Sequence, residues 1–275
     1  MTFPAINQTL LNTTLIVDEM PGRLTGDDED PPGRVLIIDS QGNKIWEMLA
    51  LKMPYDAIPL EDGTFLVNII RDKAVWHITP EGKKISSVGV GGYPCSTRLL
   101  SNGDILVSGW DYDLPGFVRQ FNAKGQIQWH LENLKWPWKA DRLTSGNTLI
   151  ADAGNRHIFE VTPNGDMVWE INHLGPEKPE LWESLGPVDC QRLANKNTLV
   201  SIRGQHRVIE LTPTGEIVWE INEPLLYKPY SAVRLKNNNT LIADGGHFRV
   251  IEVNLQKKIV WEIPGLGYPA KAYRF

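Results

Sequence analysis

The sequence predicts an all-β fold: a six-bladed β-propeller of four-stranded antiparallel blades, closed by pairing of the C-terminal strand into the N-terminal blade. Three observations predict it. First, the segment 137–171 returns, altered, at 187–221 and 229–263. Second, each copy divides into four short apolar runs separated by turn signals, which read as strands because helices need longer periodic segments. Third, a Trp recurs four residues after a turn Gly, as Gly42/Trp46, Gly125/Trp129, Gly165/Trp169 and Gly215/Trp219, with Lys257 in place of Gly before Trp261. A four-stranded meander of about 40 residues cannot bury both faces alone, and a ring of copies does so.

The clearest copy shows how each strand is encoded. Pro137–Leu143 is the first run, and Asn147–Asp152 is the second. His157–Val161 and Met167–Ile171 form a hairpin around Thr162-Pro163-Asn164-Gly165, where Pro fixes φ and Gly supplies φ > 0. Equivalent hairpins fall at 34–48, 74–88, 117–131, 157–171, 207–221 and 249–263, so there are six blades in one domain spanning 1–275. Blade 2 departs from the pattern: Ser86 stands at the Trp position, and Trp76 on the adjacent strand reads as compensation within one gap.

First strands follow Pro-x-x-Ala-x-Arg-Leu. Their copies are Pro54–Leu60, Pro94–Leu100, Pro137–Leu143, Pro187–Leu193, Pro229–Leu235 and Pro269–Phe275. The last has no strands after it, whereas the N-terminus has Thr13–Asp18 followed by a hairpin. Ring closure by 269–275 resolves both facts and leaves no open edge. Pro4–Leu10 competes for that place but lacks the Ala and the Arg.

A net charge of −5 gives no general attraction to nucleic acid or acidic membranes. No run approaches the roughly 18 apolar residues of a membrane helix, and no signal peptide is visible. Cys95 and Cys190 fall at different strand positions, which argues against a disulfide, and no metal-binding spacing exists. The acidic run 26–30 reads as a surface loop, and the longest step between blades holds an insertion, 172–186.

Candidate site residues come from positions where the repeats differ. The third position of the first strands reads Asp56, Ser96, Lys139, Asp189, Ser231, Lys271 around the ring. It forms either a neutral, hydrogen-bonded filling of the channel or a polar floor that orients a ligand. The loops between second and third strands supply Trp110, Arg203, His206 and His247. His206 and His247 stand out of the repeat register, whereas His157 aligns with Arg207 and Arg249. A histidine base needs a carboxylate within hydrogen-bond reach, and Asp244 or Asp189 is available to supply one. Tyr55, Tyr93, Trp136, Trp138, Trp182, Tyr227, Tyr230 and Tyr268 form an aromatic rim that either walls a pocket for a flat or apolar ligand or packs beneath the loops.

The runs Gly146–Ile171, Asn197–Ile221 and Asn239–Ile263 resemble the repeats of arylsulfotransferase-like propellers, with Gly-Asn-Thr-Leu-Ile, Asp-x-Gly-Asn, Arg-Val-Ile-Glu-Val and Val-Trp-Glu elements. The Gly-x-x-x-Trp element is also similar to the docking motif of quinoprotein, or PQQ-like, propellers. The resemblance implies a propeller, a periplasmic or secreted location and sulfuryl transfer through a histidine. In this chain the positions of that histidine hold Tyr55, Cys95, Trp138, Val188, Tyr230 and Ala270. The sequence therefore points first to a ligand-binding or interaction propeller, with Asp56, Lys139, Asp189, Lys271, Tyr55, Trp110, Trp138 and Tyr230 as the ligand set. The alternative is an enzyme on the same face, either a transferase resembling the arylsulfotransferases or a lyase or hydrolase with His206 or His247 as base beside Arg203 and Lys139. A small-molecule ligand is the expected partner and a protein the second; the sequence leaves the cofactor unknown.

Overall fold

A computed structural model describes residues 12–19, 32–175 and 185–275. Residues 4–10, the acidic run 26–30 and most of the 172–186 insertion lie outside them. The described strands form six sheets, each of four antiparallel strands, arranged as a ring of blades. Blade 1 takes its innermost strand from the C-terminus. Pro269–Arg274 pairs with Thr14–Asp18, which pairs with Gly33–Ile38 and then Lys44–Leu51. Thr14 faces Arg274 and Val17 faces Lys271 across that seam, so closure is by 269–274.

The hairpin turns follow from the sequence. Gly42, Gly82, Gly125, Gly165 and Gly215 all adopt φ between 74° and 91°, and Lys257 occupies the sixth turn at φ 65°. The lysine accepts there the left-handed backbone that glycine takes without steric cost.

The tryptophans join neighbouring blades. Each indole N–H donates to a carbonyl in the third-to-fourth-strand turn of the next blade: Trp46 to Pro80, Trp129 to Pro163, Trp169 to Pro213, Trp219 to Leu255 and, across the closure, Trp261 to Ser40, at 2.7–3.2 Å. In three successive joints the contact is a four-residue latch. At the joint of blades 5 and 6, the Arg234 guanidinium lies 4.8 Å over the Trp219 ring and donates to Glu210, which also accepts from Asn197. Arg192–Trp169–Glu160–Asn147 and Arg274–Trp261–Glu252–Asn239 repeat it. These latches give physical meaning to the Asn-Thr-Leu, Ile-Glu-Val and Val-Trp-Glu motifs: they are joints.

Blade 2 differs from expectation. Trp76 packs with Trp46 into the core between blades 1 and 2, so it does not replace the tryptophan missing at Ser86. The gap between blades 2 and 3 is filled by Val88, Phe117 and Phe121. Adjacent residues on a strand face opposite sides of the sheet, so moving a ring by one strand and one register sends it to the other gap.

Candidate functional site

All six innermost strands carry a β-bulge just after their first proline. In blade 4, Pro137 pairs with Asp152 and Lys139 with Ala151, so Trp138 is the extra residue. The same shift occurs after Pro94, Pro187, Pro229 and Pro269, and between Pro54 and Ala57. A bulge leaves one residue outside the ladder and re-aims it. Here it sends the second-position side chains into one central apolar cluster. The six alternate large and small around the ring: Tyr55, Cys95, Trp138, Val188, Tyr230, Ala270. The three large rings, from blades 2, 4 and 6, pack at tilted or edge-to-face angles with centroids 5.1–6.2 Å apart. Such pairs favour tilted and T-shaped arrangements. Together they plug the channel.

Above the plug opens a cavity of about 560 Å³. Tyr55, Trp138 and Tyr230 form its floor. Tyr93, Trp110, Tyr112 and Tyr268 continue the aromatic wall, and Glu19, Arg71, Lys73 and Arg203 supply its charges. Arg203 is buried, lies 4.8 Å over the Tyr230 ring and donates to the Tyr268 hydroxyl at 3.0 Å. Burial opposes its charge, but the tyrosines around it more than offset that, so it stays protonated. Burial pushes the Tyr55 and Tyr230 hydroxyls well above the usual phenol range and raises the Cys95 thiol. The phenols are therefore proton donors, and the thiol is not a nucleophile. On the blade 2–3 side, Lys73 donates to Asp111 and lies 4.7 Å over the Tyr93 ring.

The third-position residues lie outside the cavity lining. Asp56, Lys139, Asp189 and Lys271 are all buried, at 5% exposure or less. The ring is not symmetric. Both lysines turn to Asp189, at 3.6 and 3.5 Å, while Asp56 accepts from Tyr273 at 2.7 Å and from Arg98 at 3.2 Å. Asp56 also accepts from the Thr97 N–H of the next blade, and Asp189 from that of Ala232. Burial raises the pKa of Asp189, and Lys271 opposes the rise. With Arg98 and Asp141 included, the described channel holds three acids and three cations. This arrangement staples neighbouring inner strands together.

His206 and His247 do not line the cavity. They flank Tyr227, with ring centroids 4.6 and 5.8 Å away. His206 Nδ1 accepts from the Lys228 N–H, and burial lowers its pKa, leaving it neutral near pH 7. His247 Nδ1 is 2.8 Å from Asp244 Oδ2, an imidazole–carboxylate pair. The same Asp244 carboxylate accepts from Arg249 and from the Tyr227 N–H. Its repeat equivalents Asp18 and Asp152 also clamp the N–H groups leading into an innermost strand. His157 pairs with Glu170 where other blades pair Arg with Glu, as its repeat register implies. Cys95 and Cys190 are both buried and unbridged. Among the described residues, no group of three or more metal-ligating side chains converges, and no helix is long and apolar enough to cross a membrane.

Sequence reasoning named five residues of the cavity as site candidates: Tyr55, Trp110, Trp138, Tyr230 and Arg203. It placed Tyr93 and Tyr268 on the rim, but it left Glu19, Met53, Ile70 and Lys73 without a role. Their signal is topological: all four flank the ends of strands on the face where the cavity opens.

No family model matches the sequence, and no curated protein matches it. Among solved structures, the chain is similar to a protein of unknown function from Bacteroides caccae, with 18% identity, a TM-score of 0.72 and coverage of 95% of this chain and 98% of that one. It is similar to virginiamycin B lyase from Staphylococcus aureus, with 16% identity, a TM-score of 0.60 and coverage of 92% and 88%. It is also similar to a chain of the nidogen–laminin complex, with 12% identity, a TM-score of 0.67 and coverage of 94% and 97%. At these identities the likeness is one of fold: all belong with the β-propellers, and fold alone does not assign activity.

Proposed function

We propose that this chain is a small-molecule-binding propeller whose ligand occupies the aromatic cavity above the plugged channel. One observation carries the reading: among the described residues, seven aromatic and four charged side chains wall a concave space of about 560 Å³ with a sealed floor. Ligand pockets are typically of about 300–1,000 Å³, mostly apolar, with a few placed polar groups. Sulfuryl transfer of the arylsulfotransferase kind needs a histidine facing the substrate, and no histidine lines this cavity. Asp56, Lys139, Asp189 and Lys271 act in this reading as the support beneath the floor.

The test is thermal unfolding against planar aromatic compounds, phenols, aryl sulfates, nucleotides, sugars and divalent ions. A ligand at about 100 times its Kd adds about 2.7 kcal/mol. The shift is expected with planar aromatics, and it should shrink in Tyr112→Ala, whose exposed ring can be removed without opening the core. No shift from any compound ends the reading. The His247–Asp244 pair favours one alternative, catalysis on the same face. Turnover of an aryl sulfate that is lost in His247→Ala would replace binding with catalysis.

A further inference from the structure

We infer that the ligand of this cavity presents a neutral hydrogen-bond acceptor, a carbonyl oxygen on a planar ring, and that the Tyr55 hydroxyl donates to it. The inference rests on the reading of the cavity as a small-molecule site and names the polar contact that site selects. The charged groups of the wall already have partners within the protein. Lys73 is held at the rim by Asp111. Arg203 is laid on the Tyr230 ring, bonded to the Tyr268 hydroxyl and further engaged, and Glu19 and Arg71 are engaged as well.

Tyr55 differs from them. Its ring lines the cavity, the residue is 4% exposed, and its buried hydroxyl makes no hydrogen bond to any described residue. The neighbours that act on that hydroxyl are Tyr230, Glu19, Cys95 and Arg203, in descending order, and all four line the same cavity. The oxygen therefore belongs to the cavity and not to the channel beneath it. Burial, reinforced by Tyr230 and Glu19, holds the phenol well above its usual range, so it keeps its proton and offers a donor. Buried polar groups in folded proteins are nearly always paired, and an orphaned one costs free energy that an incoming acceptor relieves.

The two ions beside the hydroxyl decide the charge of that acceptor. A carboxylate here would face the buried Glu19, whose effect on Tyr55 exceeds that of Arg203. An ammonium would face Arg203, and it has no lone pair with which to accept a hydrogen bond. Juxtaposed like charges oppose binding in either case. A neutral carbonyl accepts from the phenol and meets neither penalty. The tilted rings of Tyr55, Trp138 and Tyr230 receive the planar body that carries it.

The experiment is equilibrium dialysis of the full chain against four probes on one ring: 2-acetylnaphthalene, 2-ethylnaphthalene, 2-naphthoate and 2-naphthylmethylamine. The ketone and the hydrocarbon share a shape and differ in the carbonyl oxygen. Tyr55→Phe removes one oxygen and keeps the plug; it should weaken the ketone by about fivefold, the worth of one neutral hydrogen bond, and leave the hydrocarbon within about twofold. Wild type should also bind the ketone more tightly than the naphthoate or the amine. If Tyr55→Phe does not fold, the carbonyl stretch of the ketone bound to wild type replaces it, and it should lie below its value in an apolar solvent. Equal losses for ketone and hydrocarbon, an unshifted stretch, or tighter binding of the naphthoate or the amine overturns the acceptor inference while the cavity reading stands. Binding of none of the four removes both.

Discussion

Blades 4–6 and blades 2–3 are built from the same unit and have diverged in opposite directions. The joints leaving blades 4, 5 and 6 each carry the full Trp–Arg–Glu–Asn latch. The joint between blades 2 and 3 has none of it: Ser86, Leu99 and His77 stand where Trp, Arg and Glu would be. Yet blades 2 and 3, with the links leading into them, supply nine of the fourteen described residues that line the cavity, from Met53 to Tyr112. Regular repeats serve as scaffold, because each joint has the same packing problem and the same solution. Divergence falls on the blades that wall the cavity.

The largest effect that tests this contrast is at the latch acid. Glu210 is 9% exposed and satisfies Arg234, Asn195 and Asn197 together. Glu210→Ala leaves the guanidinium without its carboxylate, and breaking a buried pair from one side costs about 3–5 kcal/mol. His77 holds the same place in blade 2 and forms a single hydrogen bond among the described residues, with the Thr64 hydroxyl at 2.7 Å. His77→Ala should cost about 1 kcal/mol, the worth of one ordinary hydrogen bond. Urea denaturation of the two variants gives the comparison directly, and equal losses would refute the division into latched and unlatched joints.

The tryptophan position gives the next largest effect, with opposite substitutions destabilising opposite halves. Trp219→Ala loses a half-buried ring, its bond to Leu255 and its stack with Arg234, a change expected to cost about 2–4 kcal/mol. Ser86→Trp restores the repeat consensus in blade 2, where Val88, Phe117 and Phe121 already fill the gap. It should therefore destabilise by about 1–3 kcal/mol through overpacking. A stabilised Ser86→Trp protein would mean that the gap retains the space of a latched joint.

These contrasts also show what was legible in the chain. The blade count, the closure by 269–274 and the ordinary role of His157 follow from register, because a repeat states its own alignment. The fate of Trp76 was misread because a one-residue offset on a strand changes the face, and a repeat alignment does not show which gap lacks volume. The site was half legible. The proline at the head of each inner strand is compatible with a bulge, but the bulge itself decides that Tyr55 and Trp138 reach the cavity while Asp56 and Lys139 stay beneath it. His206 and His247 stood out of register and still face Tyr227, because their loops end in left-handed residues, His206 at φ 53° and Phe248 at φ 56°, that turn the chain back to the blade.

Local opening should follow the same boundary. Amides of the blade 2–3 strands are expected to exchange faster than those of blades 5 and 6, since stability is distributed in cooperative units and loose joints open first. Hydrogen exchange resolved by peptide checks this. A planar aromatic ligand should slow the blade 2–3 peptides most, and uniform protection would contradict a cavity wall built mainly from those blades.

The smallest expected effect lies inside the regular half, at its one titratable exception. His157 occupies the place of Arg207 and Arg249 and sits between Asp152 and Glu170. Burial alone would lower its pKa, but the Asp152 carboxylate 3.7 Å from Nε2 and the hydrogen bond of Nδ1 to Glu170 outweigh burial and raise it above the ordinary value of 6.5. A raised folded-state pKa means the folded protein binds the proton more tightly than the unfolded chain. The stabilisation from this proton is therefore complete below about pH 6.5 and is lost as pH rises through the folded value. Asp152 and Glu170 have lowered pKa values, so their contribution runs the other way and disappears only in acid. Arginine at 157 keeps its charge throughout, as it does in blades 5 and 6. The Tm of wild type relative to His157→Arg should thus fall between pH 6.5 and 9 and hold level between pH 5 and 6. A difference that stays constant across the whole range would show that the Asp152–His157–Glu170 contact is not linked to protonation.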